Sequence, residues 1–128
     1  MSLRSDLGKV RGLGSAKTGF QHWWLQRLTA VAIIPISIWF VTELIQNLNS
    51  TYQEVVDWIS SPLVTVLMLG LISGVFYHAK LGIQVVVEDY VHSELPKIFL
   101  IIAVNLGLAF GALIGIVSVL KIALGSNI

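Results

Sequence analysis

A single histidine, His78, sits deep inside a long apolar stretch, and eleven and twelve residues later come Asp89 and Tyr90. Eleven residues advance an α-helix by about 16 Å and close to a whole number of turns. A helix through this stretch therefore carries His78 and Asp89 on one face at two depths. Imidazole is a metal ligand and proton carrier, and a phenol beside a carboxylate can donate to a carbonyl oxygen and exchange protons. Ionisable groups inside a bilayer are expensive and mark bundle interiors or pathways. The pattern points to a metal ligand within a membrane and a proton-handling pair near its rim.

Gly70, Gly74, His78 and Gly82 recur every four residues and form one helical stripe. Small residues let another backbone, or a flat bulky group such as a porphyrin, come close. Helix packing alone accounts for glycine stripes; the histidine adds axial ligation of haem as a second account. A hydrogen bond to a neighbouring helix or a proton relay also suits a membrane histidine, and these alternatives stay open on spacing alone. His22 and His92 fall at the membrane edges, so a second axial ligand has to come from another chain. Asp89 and Tyr90 equally suit a wet, anchored helix end.

Gln26-Arg27-Leu28-Thr29 lies where the first apolar run begins. Arg27 can snorkel to lipid phosphates or pair with a buried anion such as a haem propionate, and His22 can join the same cluster. Gly107, Gly111 and Gly115 form a further stripe suited to tight packing, with a partner subunit as one candidate neighbour. Gly12 to Thr18 superficially resembles a phosphate-binding loop, but the glycine before Lys17 is missing and no strand precedes it.

These residues have to be held by membrane helices. Of 128 residues, 55% are hydrophobic and 12% charged, and the mean hydropathy is +0.84, which places the chain among integral membrane proteins. Without cysteine it holds no iron–sulfur cluster or thiolate site of its own, so any longer electron path runs through partner proteins. A net charge of +1 gives no footprint for nucleic acid. The expected fold is all-α, with spans near residues 25–48, 62–88 and 97–124, each beyond the ~20 residues that cross the hydrocarbon. Pro35 is expected to bend the first span. Ser60-Ser61-Pro62 and Ser93 are candidate helix starts, and residues 49–61 form the loop between the first two spans.

Arg4, Lys9, Arg11, Lys17 and Arg27 precede or enter the first span, whereas the first loop has no Lys or Arg. The positive-inside rule then puts the N terminus inside and the C terminus outside. Residues 1–24 are expected to be a basic arm on the inner face and 25–128 the three-helix anchor domain. No signal-peptide core is apparent, and the arm is too sparse in Arg and Ser for a transit peptide. That favours the bacterial cytoplasmic membrane over the mitochondrial inner membrane.

The run HAKLGIQVVVEDYV, His78 to Val91, together with GSAKTGFQHWWLQRLTA, Gly14 to Ala30, resembles the small hydrophobic membrane-anchor subunits of succinate dehydrogenase, respiratory complex II. The resemblance covers essentially the whole chain. It implies that His78 is an axial ligand of haem b iron, with the other ligand from a larger cytochrome b anchor subunit. It further implies that Arg27, with His22 less closely matched in spacing, lies near the haem propionates. Tyr90 would hydrogen-bond ubiquinone, and Asp89 would support that site or its proton supply. The implied partners are the larger anchor, an iron–sulfur subunit and a flavoprotein; the chain performs no catalysis alone. A haem-free helical scaffold or assembly protein is the alternative. A channel or transporter is disfavoured because no shared face carries enough polar residues.

Overall fold

The computed structural model describes residues 19–125. The chain is all-helical there, with α1 at Gly19–Gln46, α2 at Tyr52–Ser60, α3 at Pro62–Tyr90 and α4 at Glu94–Ala123. The three long helices have mean hydropathies of 2.0, 1.7 and 2.5 over their most apolar windows and are long enough to cross a membrane. They are the expected spans, with ends displaced by a few residues.

α1 starts at Gly19, so residues 19–24 of the expected arm are already helical; the rest of that arm lies outside the described residues. Phe20, Trp23 and Trp24 carry the helix beyond its purely aliphatic part and touch one another, with ring centroids 6.3 and 6.4 Å apart for successive pairs. The helix continues through Pro35, which has no N–H to offer the carbonyl of Val31. Pro62 occupies the first turn of α3, with Ser61 as N-cap, as its missing donor favours. Neither Ser61 nor Ser93 makes a side-chain capping bond. These two serines mark the starts through backbone conformation, and Ser60 belongs to the preceding helix.

The expected loop at 49–61 is largely helix α2. Thr51 and Glu54 form a capping box: the Glu54 carboxylate accepts from the Thr51 N–H at 2.6 Å, and the Glu54 N–H donates to Thr51 Oγ1 at 3.4 Å. Hydrogen bonds donated by Thr51 hold the Glu54 carboxyl below its ordinary range, first through the backbone N–H and then through the Thr51 hydroxyl. Trp58 packs on Trp39 of α1, with ring centroids 6.4 Å apart. Ser60 Oγ meets the carbonyl oxygen of Ile122 at 3.2 Å, which ties α2 to the end of α4.

α3 is the central helix, packed on α1 along one side and on α4 along the other. Glycines set both approaches. A Cβ at Gly74 would stand 3.2 Å from Ile33 on α1, and one at Gly111 or Gly115 would stand 2.7 Å from Phe76 or 3.2 Å from Ile72 on α3. The α4 stripe thus packs within the chain at Gly111 and Gly115, while Gly107 has open space around it. Among the described residues only Val64, Leu81, Val87 and Val119 are buried, so most of the apolar surface faces outward.

Candidate functional site

His78 projects from the middle of α3 toward α1 and is half-buried. Its Nδ1 lies 3.0 Å from Thr29 Oγ1. Gly74 and Gly82 stand one turn to either side of it, facing Ile33 and Gln26 of α1, and a Cβ at Gly82 would come 3.4 Å from the Gln26 side-chain nitrogen. The stripe that suggested room for a flat ligand therefore serves helix packing at two of its glycines, and Gly70 has nothing within 4 Å.

A polar cavity of about 310 Å³ opens between the helices, lined by Trp23, Gln26, Arg27, Ala30 and His78. Antiparallel packing of α1 on α3 brings Arg27 and His78 together although fifty-one residues separate them. The Arg27 guanidinium also sits over the Trp23 ring, 5.5 Å from its centroid, a cation–π contact that steers it along the cavity wall. His22 lines a neighbouring cavity of about 440 Å³ with Trp23, Gln26, Gln84 and Glu88. The two spaces share Trp23 and Gln26. His22 Nε2 is buried with no hydrogen-bond partner among the described residues, so a polar group reaching that space would satisfy it, as acceptor or donor according to the tautomer.

Asp89 and Tyr90 close α3 and are exposed, Tyr90 at 79%. Neither lines the cavity at His78, as the rise of about 16 Å between them requires. Among the described residues Tyr90 stands this open, so any ligand it held would need further walls.

Among the described residues no three of His, Asp and Glu converge as a metal-binding group. One imidazole is too little for a bare ion, yet its chemistry would suit a metal that arrives within an organic cofactor. The donors fit that case: an imidazole facing the cavity, a guanidinium on the same wall for carboxylates, and the orphaned nitrogen of His22 next door. A volume of about 310 Å³ sits at the small end for ligand pockets, so the cavity by itself would not enclose a group of porphyrin size.

The fold and site define a three-span helical membrane protein with a histidine- and arginine-lined cleft between its first two spans. Residues 1–120 match the family described as succinate dehydrogenase/fumarate reductase transmembrane subunit. Among similar proteins, the succinate dehydrogenase hydrophobic membrane anchor subunit of Rickettsia bellii is 37% identical over 103 residues, covering 80% of this chain and 82% of that one. That of Rickettsia conorii is 34% identical over 104 residues, with the same shares. The succinate dehydrogenase membrane anchor subunit of Reclinomonas americana is 30% identical over 89 residues, covering 64% and 71%. The chain belongs to the succinate dehydrogenase family of membrane anchor subunits.

Proposed function

We propose that this anchor subunit helps hold haem b and forms part of a ubiquinone-reduction site in a succinate:ubiquinone oxidoreductase of a bacterial cytoplasmic membrane. The observation that carries the proposal is the meeting of His78 and Arg27 in one polar cavity between α1 and α3. His78 would supply one ligand nitrogen to the haem iron, with the larger cytochrome b anchor supplying the other. Arg27 would pair with a propionate, with His22 close by as a further polar partner. When bound, haem b supplies one-electron redox capacity within the membrane.

At the end of α3, Tyr90 donates its phenolic hydrogen to a carbonyl oxygen of ubiquinone, and Asp89 returns a proton toward that position. An iron–sulfur subunit and a flavoprotein bring electrons from succinate, consistent with a chain that has no cysteine. The basic residues around the first span favour an orientation with the N terminus, Asp89 and Tyr90 on the cytoplasmic side. Protons for quinone reduction then come from the side on which succinate oxidation releases them, and turnover moves little net charge across the membrane.

The test is a reduced-minus-oxidised optical spectrum of the complex purified through this chain, beside His78→Ala. A b-type signal that is lost or altered in the variant, with flavin and iron–sulfur subunits copurifying, is the expected result. No haem signal in the intact wild-type complex would leave a haem-free anchor.

A further inference from the structure

We infer that Thr29 is the positioning residue that fixes the tautomer of His78 and leaves its Nε2 bare for a metal. This rests on the proposed haem ligation and adds the group that prepares the ligand for it.

The Thr29 hydroxyl has three polar neighbours. Its oxygen is 2.8 Å from the carbonyl oxygen of Leu25, 3.1 Å from that of Gln26 and 3.0 Å from His78 Nδ1. The hydroxyl carries one hydrogen, and a carbonyl oxygen can only accept. Were that hydrogen given to His78, two carbonyl oxygens would face the hydroxyl oxygen at contact distance with no proton between them. Given to the Leu25 carbonyl, as a threonine in a helix commonly does, it leaves the lone pairs of Oγ1 to accept from Nδ1–H. The proton on His78 is then at Nδ1, and Nε2 carries the lone pair. Among the described residues Nε2 makes no hydrogen bond, nor is it buried.

The distance depends on the glycines. Gly74 and Gly82 flank His78 by one helical turn, and the side chains opposite them, Ile33 and Gln26, flank Thr29 on α1. A Cβ at Gly74 would meet Ile33 at 3.2 Å, closer than ordinary contact, and one at Gly82 would touch the Gln26 side chain at 3.4 Å, so the helices approach closely on both sides of His78, most tightly at Gly74. That approach brings a hydroxyl as short as threonine's within reach of the ring. A partner that accepts from the distal N–H orients a ligating imidazole and strengthens its donation to the metal. Thr29 therefore stabilises the oxidised iron relative to the reduced iron, and its hydroxyl, more than its methyl group, is the active part.

The complex is purified through this chain carrying Thr29→Val, Thr29→Ala or Thr29→Ser, each beside wild type and His78→Ala. Haem content, midpoint potential by optical redox titration, and the electron paramagnetic resonance spectrum of the oxidised haem are recorded. Valine and alanine are expected to shift the midpoint to higher potential, change the resonance positions and weaken haem retention against a scavenger roughly 10-fold. Serine is expected to stay near wild type in all three. Valine or alanine complexes with wild-type potential and resonance would overturn the assignment. If both fail to retain haem, a wild-type serine complex supports the hydroxyl, and a serine complex that also fails overturns it. A wild type without haem, or one untouched by His78→Ala, instead removes the ligation on which the inference rests.

Discussion

His78 and Tyr90 are carried by one helix, yet their environments differ in kind. His78 is half-buried and bonded to the next helix, whereas Tyr90 is 79% exposed at a helix end. Among the described residues the Tyr90 hydroxyl makes no hydrogen bond and the side chain is largely exposed, so Tyr90→Phe is expected to leave assembly and the haem spectrum intact. Succinate-driven ubiquinone reduction should fall by about 10²-fold, the lower range for a positioned proton donor, while reduction of a soluble artificial acceptor at the flavoprotein continues. Equal loss of both activities would remove Tyr90 from the quinone site. His78, Arg27 and Tyr90 stand out in the sequence as candidates by residue type and depth. Thr29 was visible only as part of a motif, because its role depends on which residue of α1 faces His78, a register that periodicity within one helix does not fix.

Between helices, the glycines decide distance. Hydropathy made the three spans legible, but not whether a small-residue stripe meets its own chain or another. Gly111 faces Phe76 so closely that an added Cβ would stand 2.7 Å from the ring, whereas Gly107 faces open space. Gly111→Ala is expected to force the Phe76 ring aside and destabilise the α3–α4 contact by about 1–3 kcal/mol, as overpacking does. A lower thermal midpoint of the detergent-solubilised complex would register it, and an unchanged midpoint would show that the ring yields freely. The short α2 was missed because nine residues give hydropathy little to register, although Thr51 and Glu54 stand in capping-box spacing. Glu54 is held below its ordinary range by contacts present only in the folded helix. Its contribution is therefore complete above the unfolded glutamate pKa of about 4.3 and is lost as pH falls through the lower folded value. Hydrogen exchange at the α2 amides, corrected for intrinsic rates, is expected to accelerate on acidification through that window. Glu54→Ala should show the faster exchange already at neutral pH and respond little to acid.

Over the whole molecule, four buried residues among those described and long outward apolar faces mean that lipid and partner subunits do what a hydrophobic core does in a soluble protein. The orientation of the bundle decides from which side the Tyr90 site draws protons. Basic residues cluster before and at the start of α1, and residues 49–61 have none, so α2 is expected outside and the turn between α3 and α4 inside. A chain without cysteine allows a clean test, because one introduced thiol is the only thiol this subunit presents. Gln53 is exposed on α2, and Ser93 is exposed between α3 and α4. With Gln53→Cys, a membrane-impermeant maleimide is expected to label this subunit in intact spheroplasts. With Ser93→Cys, labelling is expected only in inverted vesicles or after permeabilisation. Labelling of Gln53→Cys solely in inverted vesicles would reverse the topology, place Tyr90 outside and require quinone reduction there to take its protons from the opposite side of the membrane.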